Sequence, residues 1–146
     1  MDYFIVELGQ SQMIGIPLNM TREVISIGVG EVCPIPGVKP SLLGMIARRG
    51  KLLWLLDLSQ LLNWGETSKN RANKLTVLVA KYNYKEFGLV VKKLRDIRGE
   101  EDFKFQLINQ GEPGENLRYI KGETKLAEGE NFKLIDLEAI YKYINQ

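Results

Sequence analysis

Apolar residues in this chain come in short runs punctuated by turn residues, a pattern that restricts it to a fold built mainly from β-strands. Asp2-Tyr3-Phe4-Ile5-Val6-Glu7-Leu8 and Met13-Ile14-Gly15-Ile16-Pro17-Leu18 flank Gly9-Gln10-Ser11-Gln12 and predict an opening hairpin. Residues 22–27 predict a third strand or a short helix. Pro34, Pro36 and Pro40 lack the amide hydrogen that a ladder needs, so residues 32–40 are expected as an extended loop or a sheet edge. Leu52-Leu53-Trp54-Leu55-Leu56 has no polar alternation and predicts a strand buried on both faces. It is also the longest apolar run, far below the ~20 residues of a membrane-spanning helix. Leu75-Thr76-Val77-Leu78-Val79-Ala80 and Phe87-Gly88-Leu89-Val90-Val91 predict a second hairpin that turns at residues 82–85. Residues 109–116 form a surface loop. Beyond it come residues 117–126, a turn at 127–130, the strand Phe132-Lys133-Leu134-Ile135 and a terminal helix over 137–144.

The order glycine, strand, Asp-Leu, short helix occurs twice, at residues 50–62 and 129–141. Two similar β units, each closed by a short helix, fit a pair of small barrels packed together. With 146 residues, the chain is expected as one domain, 1–146, able to bury a core without disulfide or metal. The polar stretch within 63–74 predicts an exposed connection and the boundary between the two halves.

The chain has no histidine and one cysteine, Cys33, so the commonest general base and zinc sites built from Cys and His are excluded. The balance of 20 basic against 18 acidic residues provides no global field for nucleic acid or membrane, and with no leader-like start a cytoplasmic location is expected. Asp57 and Asp136 are the candidates for paired catalytic carboxylates, but each stands where a strand gives way to a helix. There an aspartate caps free amide groups. Gly28-Val29-Gly30 lacks the remaining features of a nucleotide loop, and Glu100-Glu101-Asp102 lacks those of a calcium loop. Cys33 is expected as a small packing residue. Trp54 is expected in the core, and Trp64 either in the core or on a ligand. The expectation is therefore no enzyme, no cofactor and no metal. Arg48-Arg49-Gly50, a tight turn between apolar strands, presents two adjacent arginines on a stiff base, and arginine is a frequent anchor of protein interfaces.

At this turn the chain resembles the CheW family of chemotaxis coupling proteins, whose pattern is Gly-x-x-Asn-Leu-Arg-Gly, an apolar strand with a proline, then Asp-Leu. Here Gly44, Arg49, Gly50, Asp57 and Leu58 match, after a family-like approach through Cys33-Pro34-Ile35-Pro36-Gly37. Ala47, Arg48 and Trp54 stand where the family has Asn, Leu and Pro. Phe4-Ile5-Val6-Glu7-Leu8-Gly9, Phe87-Gly88-Leu89-Val90-Val91 and Leu134-Ile135-Asp136-Leu137 resemble its opening, middle and closing segments, with Lys92 where the family often has Asp.

The resemblance implies two five-stranded SH3-like barrels with short helices and no catalysis. It also implies a scaffold role in two-component signalling, bridging a methyl-accepting chemoreceptor's cytoplasmic tip and the regulatory domain of a CheA-type histidine kinase. By position it implies partner contacts at Arg49 and Gly50, with Arg48 beside them, and Met20, Glu23, Val24 and Lys92 are the further candidate partner contacts. Met20, Glu23 and Val24 would form one edge of an inter-barrel groove. Lys92 reverses a charge, and with Arg48 it fits a divergent array, such as one controlling pilus motility. The competing readings are a nucleic-acid-binding β-barrel that uses the basic stretch 81–98, and an enzyme in which Asp57 and Asp136 share one cleft.

Overall fold

The computed structural model describes residues 2–67, 73–99, 103–106, 117–126 and 131–145. Among them the chain forms β1 (Asp2–Glu7), β2 (Met13–Pro17), β3 (Thr21–Gly28), β4 (Leu42–Arg48), β5 (Lys51–Asp57), α1 (Leu58–Leu61), β6 (Lys74–Tyr82) and β7 (Lys85–Val91). It continues through β8 (Lys93–Gly99), β9 (Phe103–Gln106), β10 (Ile120–Leu126), β11 (Asn131–Ile135) and α2 (Leu137–Ile144). The predicted hairpins, the proline loop and the terminal helix are present, and residues 22–27 are strand. The loop at 109–116 and the turn at 127–130 lie outside the described residues.

The strands form two sheets, ordered β8-β1-β2-β11-β10-β9 and β3-β6-β7-β5-β4. The first has six strands, and its two edges, β8 and β9, follow one another in chain order. The second has five strands. The two orders correspond strand for strand: β8, β1, β2, β11 and β10 take the places of β3, β6, β7, β5 and β4. In each, a parallel pair joins the helix-preceding strand to its neighbour, β11 to β2 and β5 to β7. The repeated strand-Asp-Leu-helix order is therefore a structural repeat, but permuted. The N-terminal hairpin supplies two strands of the first barrel, and the rest of that barrel comes from the C-terminal half.

This arrangement moves the boundary expected in 63–74. That stretch joins α1 to β6 within the second barrel; the chain crosses between barrels at residues 18–20 and at Lys92. A polar composition marks a connection between elements, and it does not show whether those elements belong to one barrel or to two.

Period-2 alternation sends the two faces of the central strands into different cores. Leu53, Leu55, Val77 and Val79 fill the second barrel, and Tyr3, Ile5, Phe132 and Leu134 fill the first. The opposite faces meet in a shared core where Val6, Ile14 and Ile16 pack with Leu56, Leu78, Leu89 and Val91 under Leu137, Ile140 and Ile144 of α2. Leucine on both faces of β5 follows from this. Leu52 departs from expectation: the shared core on its face ends before it, leaving it 67% exposed. A polar staple also ties the barrels. Ser59 Oγ of α1 accepts from Gly9 N at 3.0 Å and from Thr67 Oγ1 at 2.9 Å. On the far side, Asn83 donates to the Tyr141 hydroxyl at 3.2 Å and Lys39 donates to the Tyr143 carbonyl, holding α2 in place. A shared core and paired polar ties make the two barrels one stiff unit.

Candidate protein-docking site

The β4–β5 hairpin pairs Arg48 with Lys51, leaving Arg49-Gly50 as a two-residue turn. Both residues have left-handed backbone, φ 51° and 75°, which is the type I′ geometry that suits the twist of the strands. Glycine adopts it freely. Arg49 does not, and its side chain is 74% exposed.

Glu23 of β3 reaches both arginines. Arg48 Nε donates to Glu23 Oε1 at 2.8 Å, and Arg49 Nη2 lies 3.3 Å from Glu23 Oε2. Since β3 and β4 are the two edges of the second sheet, this triad stitches edge to edge. Exposed ion pairs contribute at most about 1 kcal/mol, so the triad's main effect is to aim Arg49 rather than to stabilise the barrel. Beside it lies a hollow of about 300 Å³ bordered by Arg22, Arg48, Arg49, Lys51 and Leu53.

The hydrogen bond from Arg48 holds the Glu23 carboxyl below its ordinary value of 4.5; the charges of Arg48 and Arg49 add to this, and partial desolvation opposes it. A depressed folded-state pKa means the clasp is intact above the unfolded value and is lost as pH falls through the folded one. A carbon-detected NMR titration of Glu23 should therefore show a midpoint below 4.5, and Arg48→Ala should bring it back toward that value. An unmoved midpoint in Arg48→Ala would assign the shift elsewhere.

Of the residues singled out in the sequence, the fold brings Glu23, Arg48, Arg49 and Gly50 together. Met20 and Val24 are partly buried against the shared core, so their exposed edges flank the crossing between barrels. Lys92 belongs to a separate cluster: its Nζ lies 3.3 Å from Glu7 Oε2, and Arg95 Nε lies 3.6 Å from Glu7 Oε1. Lys92 is thus paired with β1, in a cluster of two bases on one carboxylate that stays net positive.

The other candidates resolve as architecture. Asp57 Oδ1 accepts from Gln60 N and its Oδ2 from Thr67 N, while Asp136 Oδ1 accepts from Ala139 N. Each caps its own helix, in a different barrel, so the shared cleft required by the enzyme reading is not formed. Among the described residues, no cluster of Cys, Asp and Glu could hold a metal. Glu100-Glu101-Asp102 lies outside them. The basic stretch 81–98 is divided between barrels: Lys81 and Lys85 belong to β6 and β7, whereas Arg95 pairs with Glu7 and Arg98 with Asp96 at 2.9 Å. Trp64 is buried, with Lys133 Nζ 5.3 Å from its ring centroid. Cys33 departs from expectation: it is exposed, because its backbone is what packs, in a bridge to Met45. No helix of the described residues is long and apolar enough to cross a membrane.

A protein-family model, the CheW-like domain, matches residues 2–144. Among solved structures, the scaffolding protein TtCheW from Thermoanaerobacter tengcongensis is similar, with a TM-score of 0.75 and 16% sequence identity over 92% of this chain and 88% of that one. At that identity the likeness is one of fold. No curated protein sequence matches the chain.

Proposed function

Because the chain belongs to the CheW-like domain family, we propose that it is a non-catalytic adaptor of a chemotaxis-type array, coupling a chemoreceptor's cytoplasmic tip to the regulatory domain of a CheA-type histidine kinase. The observation that carries this reading is the Glu23 triad, which holds Arg49 exposed on a strained turn at the end of a stiff barrel. An adaptor needs no tuned acid or base. It needs prealigned patches, so that little binding energy is lost to ordering. Arginine fixed by one carboxylate keeps donors free for a second carboxylate on a partner. Arg49, Arg48, Glu23 and Gly50 form the kinase-facing turn in this reading, and Met20 and Val24 border the receptor-facing groove. Lys92, already paired with Glu7, serves the scaffold.

Two barrels sharing one core also supply a route for coupling. A shift that favours one partner is felt by the other with the same free energy. Equal kinase affinity with and without bound receptor tip would count against it.

The test is calorimetric binding of the purified kinase regulatory domain from the same organism. Arg49→Glu places a like charge beside Glu23 and presents the wrong sign to an acidic surface. Affinity is expected to fall at least tenfold, about 1.4 kcal/mol, with an unchanged circular dichroism spectrum. Wild-type affinity in this variant would remove Arg49 from the interface.

A further inference from the structure

A second hairpin of the same barrel shows the same unusual choice as the arginine turn. In β6–β7 the register pairs Tyr82 with Lys85, leaving Asn83-Tyr84 as the turn, with φ 51° and 65°. Asparagine is favoured at the first position and glycine at the second; a tyrosine there is strained. Its ring makes no packing in return, being 92% exposed. Beside it lies Leu52, 67% exposed on a strand whose other leucines are buried.

These residues border a hollow of about 460 Å³ whose apolar wall is Met45, Leu52, Trp54, Tyr84, Phe87 and Ile144. It shares Lys51, Leu53 and Glu86 with the hollow under Arg49, so the two adjoin. The charge around it is one-sided. Glu86 is engaged by Arg22 at 3.7 Å, whereas Lys51 and Lys85 are exposed and make no ion pair among the described residues.

We propose that this hollow is the apolar half of the docking surface whose charged half is the Arg49 turn, and that its occupant is an acidic segment of the protein partner inserting an aliphatic or aromatic side chain between Leu52, Trp54 and Tyr84. The inference rests on the adaptor reading and adds the chemistry of the partner. Adjacency to the Arg49 hollow puts both contacts within reach of one partner surface. The unpaired lysines select for acidic residues around the inserted group. A buried apolar anchor inside a charged rim is the arrangement that concentrates binding energy at interfaces. The strain at Tyr84 follows from it, since a turn optimised for folding alone would carry glycine.

The probe is again the purified kinase regulatory domain, with Trp54 as reporter; Trp64, the other tryptophan, is buried. Saturating wild type should shift tryptophan emission to the blue, and Trp54→Phe should abolish the shift. Tyr84→Gly should hold or raise Tm while weakening binding at least tenfold, a combination that a purely structural role would not produce. Leu52→Ser, at an exposed position, should weaken binding without lowering Tm, and Lys51→Glu with Lys85→Glu should do the same by reversing the rim. If all of these bind like wild type while Arg49→Glu does not, the hollow is a bystander and the adaptor reading stands without it. Loss in Tyr84→Gly and Leu52→Ser but not in the lysine reversal overturns the acidic occupant. A wild-type dimer that Tyr84→Gly dissolves would make the occupant a second copy, contrary to the proposal. Failure of wild type to bind the regulatory domain removes the adaptor reading, and this inference with it.

Discussion

Gly44→Ala should destabilise the protein by about 3 kcal/mol or more in urea denaturation, the range of a backbone conflict with no relief. Gly44 has φ +142°, a conformation that L side chains rarely adopt. A Cβ there would overlap the carbonyl oxygen of Cys33, lie 2.8 Å from its carbonyl carbon and 3.0 Å from Pro34 Cα. All three obstacles are backbone, so no side chain can swing aside. Relief requires the proline loop to lift off β4, which would break the paired bonds Cys33 N to Met45 O (2.8 Å) and Met45 N to Cys33 O (2.9 Å). Gly30→Ala, where no atom lies within 4 Å, is the control and should be nearly neutral. A loss below about 1 kcal/mol in Gly44→Ala would show that the loop yields cheaply.

Asp57→Ala should cost about 2 to 4 kcal/mol, a lost cap together with an orphaned buried donor. Asp57 is fully buried; its Oδ2 accepts from Thr67 N at 2.8 Å and its Oδ1 from Gln60 N at 3.4 Å. Thr67 in turn donates to Ser59, whose oxygen accepts from Gly9 of the other barrel, so the loss should spread to the junction. Asp136→Ala removes only a partly buried cap, with Ala139 N at 3.2 Å, and should cost about 1 kcal/mol. Equal losses in the two variants would refute the network reading of Asp57.

Much of the local structure was legible in the residues. Asp57 and Asp136 were readable as caps because the bond they make spans three residues, from Asp to the amide at the third position beyond it. The hairpin at 82–85 was readable from its turn residues, although not that Tyr84 stands where glycine is favoured. The strand β8 went unread because its charged sequence carries no period-2 signal: most of Lys93–Gly99 is exposed on both faces. Leu52 was misplaced because an unbroken apolar run does not show where its covering helix ends. For Cys33, composition could not separate a buried side chain from a backbone pinned by Met45.

The family pattern reached the arginine turn and part of its surroundings. Arg49 and Gly50 were located by motif, and Glu23 by correspondence, but as the edge of a groove and not as the carboxylate that clasps Arg48 and Arg49. Tyr84 and Leu52 had no motif to mark them.

By itself the sequence determined the strands that are apolar runs bounded by turn residues, where both helices begin, and that a chain without histidine and with one cysteine lacks the usual donors for acid-base and zinc chemistry. Those properties depend on side-chain type and on hydrogen bonds a few residues long. Only the tertiary structure decided that the N-terminal hairpin completes a barrel begun in the C-terminal half, and that Glu23 meets an arginine 25 residues away. It also decided that Lys92 shares Glu7 with Arg95, and that Arg49 and Tyr84 border adjoining hollows. Strand partners are selected by which apolar faces can be buried together, and that choice is made by the whole core at once.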